Sequence, residues 1–448
     1  MPALLKLRWI RVGLLSGLLL FYFSSPFATA KVTIAASIPK PVQTLKDAAE
    51  AAIRNNPDLL ASADSYKIAI KQARQTFSGF LPSVTTEYTY GPEETQNSTS
   101  RTDGYQGFRD LMRREASVDA SQLIFDANQT LNNYDEAKTN IIVAGDNYID
   151  TRQNLLLTVV QVYTNILRLK ETHNVYKKTF AVYRDILDKT KKNYKAGAGQ
   201  KPEVSLAQSR VGQTEAEIKN LQSQREIANY NYFKVVGIKP ENLTKVMLPH
   251  YKIPKTLMEA EQMGLRNNPA LRSAASTIQA NQYGVLSAKG KFFPKLALKA
   301  DASRGMDLDG TKGSNNDQEV LLDATFNVFN GGADKANLDQ ARLELQQSVH
   351  QYESVKLSIL ENIRAAWDTF HSIKKQLPIL RNTLKEEKYT AYAYNKQYII
   401  GRRTLLDLLT VEGSVFRAKL ALLNAKYDMI VSAYSLLAAM GKIEEQQV

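Results

Sequence analysis

The chain contains 448 residues, of which 44% are apolar, and carries a formal net charge of +13. This length exceeds that of one simple domain and is sufficient for a large core. The absence of cysteine excludes disulfides, thiolate metal sites and a cysteine-linked lipid anchor. Basic and acidic residues are interspersed, so the charge predicts a solvated surface and no nucleic-acid partner.

The first thirty positions have the pattern of a secretory signal. Lys6, Arg8 and Arg11 precede an apolar run at 12–23, and Ala28-Thr29-Ala30 forms a small-x-small cleavage pattern. A retained membrane anchor is the alternative, but about twelve apolar residues are short for a bilayer span. We therefore predict a signal peptide at 1–30 and an N-terminal extension at 31–43.

The sequence RNNP occurs at 54–57 and again at 266–269, and the agreement extends far beyond it. The matching positions include the pairs Thr44 and Thr256, Phe80 and Phe292, Pro82 and Pro294, Gly197 and Gly401, and Gly237 and Gly441. Only the interval between Pro82 and Phe125 differs in length from its counterpart, which indicates a loop there. We predict two homologous halves, 44–237 and 256–441, with a linker at 238–255 and a C-terminal tail at 442–448.

Each half contains a predicted β-hairpin, at 81–125 and 293–329. In SVTTEYTY at 83–90, apolar and polar residues alternate with period two, and the second half repeats the pattern. Polar loops are expected at 91–113 and 305–317. Period alone leaves two readings open: membrane-spanning strands with one face to lipid, or an ordinary half-buried antiparallel sheet.

A long helix is predicted after each hairpin, at 127–196 and 332–400. The first has no proline, and its apolar residues are spaced alternately by four and three, as in a coiled coil. A second seam beginning at Leu156 predicts packing on two sides. At about 1.5 Å per residue this helix is about 105 Å long, and Pro378 should kink its counterpart.

Shorter helices complete each half. One precedes each hairpin, with Pro57 or Pro269 in a first turn, and the others are predicted at 203–237 and 403–440. Two hairpins give four strands, too few to close a barrel that spans a membrane. If the strands enter a membrane, the chain must oligomerise, and three copies would supply twelve strands.

The ordered, duplicated motifs resemble the TolC family of bacterial outer-membrane export channels over nearly the whole chain after the signal peptide. They are the openings from Leu45 to Pro57 and from Leu257 to Pro269, the strand entries Phe80-Leu81-Pro82 and Phe292-Phe293-Pro294, the strand exit Phe329-Asn330-Gly331-Gly332, and the turn from Gly401 to Leu409.

The resemblance implies a mixed α/β membrane protein. Long coiled-coil helices would form a periplasmic α-barrel, and four amphipathic β-strands per protomer would contribute to a trimeric 12-stranded β-barrel in outer-membrane lipid. The implied function is the exit duct of a tripartite efflux pump or type I secretion system, without enzymatic activity or cofactor. Expected partners are a periplasmic adaptor and an inner-membrane transporter, and opening would be an iris-like movement of the periplasmic tip.

The resemblance also implies two sets of site residues at the turns between helices. The gate residues would be Glu203, Tyr398, Arg403 and Asp407. The adaptor-docking residues would be Ala196, Gly197, Ala198, Ile400, Gly401 and Arg402. Some family members have a second acidic residue where this chain has Thr410, so an acidic cation-binding ring is in doubt.

Local roles compete with the gate assignments. Arg403 and Asp407 are four residues apart and could form an ordinary surface ion pair. Arginine at a helix start opposes the helix dipole, which favours the gate role. Glu203 follows Pro202 at a predicted helix start, where a carboxylate is favourable for local reasons.

Two other protein classes compete with this interpretation. An enzyme is not indicated, because no catalytic motif occurs and the four histidines, at 173, 250, 350 and 371, are scattered. His173 lies on the apolar seam and is expected to be a packed core residue. The remaining alternative is a periplasmic adaptor or coiled-coil scaffold without a pore.

Overall fold

A computed structural model describes residues 44–98, 104, 107–249 and 253–444. The helices named here are α1 Leu45–Asn55, α2 Pro57–Phe77, α3 Gln129–Lys195, α4 Lys201–Val236, α5 Leu257–Asn267, α6 Pro269–Gly290, α7 Ala333–Ile399 and α8 Leu405–Ala439. The strands are β1 Ser83–Thr95, β2 Arg109–Phe125, β3 Lys295–Met306 and β4 Ser314–Thr325. The predicted signal peptide, the extension at 31–43 and the end of the C-terminal tail lie outside the described residues. In the described ranges no helix is long and apolar enough to cross a membrane.

The four strands form one antiparallel sheet in the order β1-β2-β3-β4. Two hairpins are joined by the β2–β3 ladder, in which Val118 lies opposite Ala302. The predicted mixed α/β class, with long helices and four amphipathic strands, is confirmed.

The extent of the strands differs from the prediction. The expected loops at 91–113 and 305–317 shorten to 96–108 and 307–313, because the strand pairing continues into polar residues. An ion pair between Arg113 and Glu93, with an N–O distance of 3.2 Å, stabilises this polar extension of the first hairpin. At the other end, β4 stops at Thr325, earlier than the predicted limit at 329.

The two faces of the sheet differ in chemistry and in exposure. On one face the apolar side chains are exposed, and they include Val84, Tyr88, Tyr90, Val118, Val320 and Leu322. The other face carries mainly polar residues. In the outer parts of β1 and β2, the residues on this polar face are half-buried, whereas their neighbours on the apolar face are exposed. From this pattern we infer that the polar face is the concave side of the sheet.

The helices form a layer whose order changes along its length. Near the sheet the order is α2-α3-α6-α7, whereas towards the far end it is α4-α3-α8-α7. The two long helices, α3 and α7, each have 67 residues, or about 100 Å at about 1.5 Å per residue. The helix α7 continues through Pro378.

The main core lies midway along this layer, where the short helices meet. The predicted second seam of α3 is buried there, with Leu156, Val160, Tyr163 and Leu167 at 5% exposure or less. The first seam is only partly buried, because Val162 and Ile166 lie at the edge of this core.

The repeated RNNP connects two elements in each half. Asn56 caps α2 by accepting from the backbone N–H groups of Asp58 and Leu59, and its amide donates to the Val235 carbonyl at 3.1 Å. In the second half Asn268 likewise donates to the carbonyl of Ala439 at 3.3 Å. Each motif therefore caps the start of one helix and donates a hydrogen bond to a backbone carbonyl in the last turn of another.

Replacing Asn56 by alanine should lower the free energy of unfolding by about 2–3 kcal/mol, since a helix cap is lost and a buried carbonyl loses its donor. Asn56→Asp is the matched control, because its carboxylate keeps the capping acceptor and replaces the amide donor by an anionic oxygen. Thermal unfolding followed by circular dichroism at the helix band would measure both variants. Equal stability of Asn56→Ala and the parent would contradict this role.

Candidate functional site

The candidate site lies at the tip, defined as the end of the helical layer that carries the turns 196–200 and 400–404. Both turns have the same hydrogen-bond pattern. Gly197 donates to the Tyr194 carbonyl at 3.0 Å, and Gly401 donates to the Tyr398 carbonyl at 3.0 Å. Their φ angles of +75° and +74° are in the left-handed region that favours glycine.

Both turns are open to solvent. The six docking candidates, Ala196, Gly197, Ala198, Ile400, Gly401 and Arg402, are all exposed. A Cβ atom added at Gly197 or Gly401 would meet nothing within 4 Å. The second turn is the more apolar, because Ile399 and Ile400 are 68% and 64% exposed. The tip thus presents two similar, accessible loops, one of them with an apolar rim.

A small apolar cluster holds the two turns together. Its buried members are Tyr183, Ile186 and Leu187 from α3, Ala207 from α4, and Leu405, Leu408 and Leu409 from α8. Tyr398, at the end of α7, packs against this cluster and is half-buried. The tyrosine therefore couples the second turn to the first half of the chain.

Glu203 and Asp407 occupy equivalent positions in the first turns of α4 and α8. Glu203 Oε2 accepts from the backbone N–H of Gln200 at 3.2 Å. Asp407 Oδ2 accepts from the backbone N–H and the hydroxyl of Thr404, at 3.1 and 2.9 Å, which completes a capping box. Both carboxylates therefore have a local structural role at a helix start.

The environment of Asp407 favours its charged form. The hydrogen bond from the Thr404 backbone lowers the pKa of the Asp407 carboxyl, assisted by the Thr404 hydroxyl and by the charge of Arg403. Within the described part of the chain its second oxygen, Oδ1, has no hydrogen-bond partner. That oxygen is available to another molecule.

Arg403 is bound to its own turn. Its Nε donates to Gln397 Oε1 at 3.0 Å, and its guanidinium lies 4.1 Å from the centre of the Tyr394 ring. No ion pair joins Arg403 to Asp407 among the described residues, so the alternative of an ordinary surface pair is wrong. The reason is that α8 begins at Leu405, after the cap Thr404, so Arg403 lies outside the helix.

Sequence reasoning missed Gln397 and Tyr394, the two partners of Arg403. Both lie on α7 ahead of the turn, and only the reversal of the chain at Gly401 brings Arg403 back to them. Thr410, where some relatives have an acid, donates its hydroxyl to the Leu406 carbonyl at 2.7 Å. It is thereby engaged in its own helix.

Groups of three or more His, Cys, Asp or Glu residues that could hold a metal ion are absent from the described ranges. His173 is buried in the α3 seam, as expected for a packed histidine. Burial lowers the pKa of its imidazole, and the nearby charges of Lys177 and Arg225 lower it further.

Comparisons with known proteins agree over nearly the whole described chain. The family model described as outer membrane efflux protein matches residues 48–237 and 262–442. The outer membrane efflux protein BepC of Brucella suis is 23% identical, over 91% of this chain and 87% of that protein. The outer membrane protein TolC of Escherichia coli K12 is 22% identical, over 88% and 81%. The crystal structure of the Campylobacter jejuni outer membrane channel CmeC has a TM-score of 0.80 at 20% identity, over 90% of this chain and 87% of that one.

Proposed function

The chain belongs to the outer membrane efflux protein family, and from this premise we propose that three copies form the exit duct of a tripartite efflux pump or type I secretion system. The predicted resemblance to the TolC family is confirmed. The protein is an outer-membrane protein that extends into the periplasm. Its family is a family of channels and not of enzymes.

The observation that carries the proposal is the pair of open edges in the protomer. Within the described residues, β1 and β4 each lack a strand partner on one side. Long unpaired strand edges are templates for pairing with another chain. Pairing β1 of one copy with β4 of the next is a head-to-tail contact, which closes into a ring when its rotation closes. Three copies supply the twelve strands of a closed barrel.

The helical layer has open edges in the same places. On α2, Leu60 and Ile68 are 48% and 56% exposed, and on α7, Leu343 and Leu357 are 65% and 66% exposed. Since α2 leads into β1 and α7 follows β4, the ring contact that pairs the strands would also bring α2 against α7. The exposed apolar residues of both helices would then be covered.

The concave face of the sheet suits a water-filled lumen. Asp119, Asp301 and Glu319 lie side by side across β2, β3 and β4. Like charges directly opposite each other destabilise a sheet unless water solvates them. This row argues against an ordinary half-buried sheet, and the exposed apolar side chains of the opposite face suit lipid.

At the tip, the gate role is proposed for Glu203, Tyr398, Arg403 and Asp407. The guanidinium Nη atoms of Arg403 and Oδ1 of Asp407 lack partners in the described chain, so they can contact a neighbouring protomer. Opening would be an iris-like movement that separates the three tips. The exposed turns 196–198 and 400–402 would receive the adaptor, which links the duct to an inner-membrane transporter.

Engineered disulfides test the ring directly, because the chain has no cysteine of its own. Single cysteines at 84, 86 or 88 on β1 are combined with single cysteines at 318, 320 or 322 on β4. Oxidation should give a trimer-sized covalent species for the pairs in register. The control is Val118→Cys with Ala302→Cys, which are opposite each other within one chain and should leave the mass unchanged. Monomers at every β1–β4 combination, together with a monomeric mass in detergent, would contradict the ring and favour a scaffold without a pore.

A further inference from the structure

The loop at 307–313, between β3 and β4, folds across the concave face of the sheet. Gly310 contacts Glu93 on β1, which is two strands away from β3, and Asp309 contacts Asn97 just beyond the end of β1. Since neighbouring strands are about 4.8 Å apart, this reach is about 10 Å. The loop therefore lies over the outer end of the polar face and does not extend away from the sheet.

Four polar contacts hold the loop in this position. The Gly310 N–H donates to Glu93 Oε1 at 3.2 Å, and its carbonyl accepts from Arg109 at 2.8 Å. The Asp309 carbonyl accepts from Asn97 at 2.7 Å, and the Asp309 carboxylate lies 3.5 Å from Arg113 Nη1. The contacts come from both strands of the first hairpin, so the loop bridges the two halves of the chain.

Arg113 is the centre of the charged part of this tether. It is within 3.2 Å of Glu93 and 2.5 Å of Glu115, in addition to Asp309. Three carboxylates thus share one guanidinium on the concave face. Removing that cation would leave three like charges facing one another, and the loop would lose its attraction to the sheet.

An apolar contact fixes the base of the loop. Leu308 is only 8% exposed, and its side chain lies against the backbone of Gly305. A side chain at position 305 would overlap Leu308 Cδ1, so glycine is required for this approach. Two hydrogen bonds between Asp307 and Gly313, at 2.8 and 2.9 Å, close the loop on itself. The segment is an ordered strap.

We propose that this strap, one from each protomer, narrows the extracellular mouth of the duct and sets the size of molecule that passes. The inference rests on the proposed channel function, because the concave face is a lumen only in the closed ring. A strap that crosses the lumen face of its own protomer reduces the free cross-section at that level. Release of the Arg113 contacts would widen the mouth.

The test uses labelling of a single cysteine from outside intact cells. Ser117→Cys places a thiol on the same face as Arg113 and four positions deeper, or about 13 Å. The probes are a small membrane-impermeant methanethiosulfonate and a maleimide carrying a long polyethylene glycol chain. The variants are Arg113→Ala and a replacement of 307–313 by an Asn-Gly turn, which removes the strap altogether.

The small probe should react equally fast in the parent and in both variants. The large probe should react slowly in the parent and about tenfold faster in Arg113→Ala, the ratio expected if the tether favours the closed strap by about 1.4 kcal/mol. It should react at least as fast in the turn replacement, which has no strap. Arg114→Ala is the matched control, because Arg114 is the next residue on the opposite face, over the Tyr90 ring. Its large-probe rate should equal that of the parent.

Two other results would overturn the inference in different ways. Equal large-probe rates in the parent and the turn replacement would mean that the strap does not limit the size of molecule that enters the mouth. That result would not contradict the proposed channel function. If the small probe failed to reach Ser117→Cys in the parent and in both variants, the polar face would not line a water-filled lumen. That result would contradict the proposed function as well. A cysteine at the exposed Phe108 checks that the protein is at the cell surface.

Discussion

Replacing both Arg403 and Asp407 by alanine should raise the single-channel conductance of the purified protein severalfold. In the proposed trimer each contact at the tip occurs three times, so contacts that are individually weak add together. Their combined loss shifts the equilibrium between closed and open tips further than the loss of any one contact would. Planar-bilayer recordings would show the change, and cells should become sensitive to large antibiotics.

The structure supplies a matched control for this experiment. Asp407 also completes the capping box with Thr404, so the double substitution frays the start of α8 as well as removing charge. Thr404→Ala breaks the same capping box and keeps both charges. If Thr404→Ala alone raised conductance as much as the double variant, helix fraying would explain the opening. Unchanged conductance of the double variant would leave Arg403 and Asp407 with only their local roles.

Gly441→Ala should destabilise the protein by several kcal/mol, far more than Gly401→Ala. Both glycines end a helix with a positive φ, +68° and +74°, and that conformation costs a non-glycine residue about 1–2 kcal/mol. At Gly441 an added Cβ would also lie 2.7 Å from the Asn267 carbonyl oxygen and 2.9 Å from Asn268 Cα, whereas at Gly401 it would meet nothing within 4 Å. The difference is a clash with backbone that cannot rotate away.

Chemical denaturation of the two variants side by side would isolate the clash, because the backbone strain is common to both. Gly401→Ala should shift the midpoint slightly, and Gly441→Ala should shift it strongly or prevent folding. In Gly237→Ala the added Cβ would lie 2.7 Å from Asn55 Cβ, an atom that side-chain rotation does not move, so this variant should be destabilised in the same way as Gly441→Ala. Equal midpoints for Gly401→Ala and Gly441→Ala would show that the second repeat of RNNP does not pack closely on α8.

The helices were predictable because their signals are local. Proline at Pro57 and Pro269, glycine at Gly197 and Gly401, and the apolar seam each specify a start, an end or a face without distant residues. The errors in the predicted ends of the helices have local causes as well. The predicted helix at 203–237 begins two residues earlier, at Lys201, since Pro202 occupies the first turn and Glu203 accepts from Gln200.

The sheet was predictable only in part. Alternation in SVTTEYTY identifies strands and faces, but it does not say which strands pair, and the β2–β3 ladder depends on residues nearly two hundred positions apart. The sequence predicts a loop for the outer ends of β1 and β2 because 91–113 is polar and contains glycine. Only the pairing of Glu93 with Arg113 across the hairpin shows why the strands continue.

The candidate site was located by resemblance and could not be built from sequence. Position in the repeat put Asp407 and Glu203 at the turns, and the structure places both there. The contacts of Arg403 with Gln397 and Tyr394 arise from the chain reversal at Gly401, and periodicity contains no information about them. The strap at 307–313 was missed for the same reason, because polar loop residues do not show which way the loop folds.

The position of α8 between α3 and α7 has a consequence for biogenesis. This helix is made after all the other described helices, yet in the tip half it occupies the middle of the layer and covers both long helices. The side of α3 that receives Leu405 and Leu408 stays exposed until α8 itself has been synthesised and exported. A chain truncated before Leu405 would lack the centre of the layer rather than its end, so premature termination should yield a substrate for periplasmic proteases and no shortened duct.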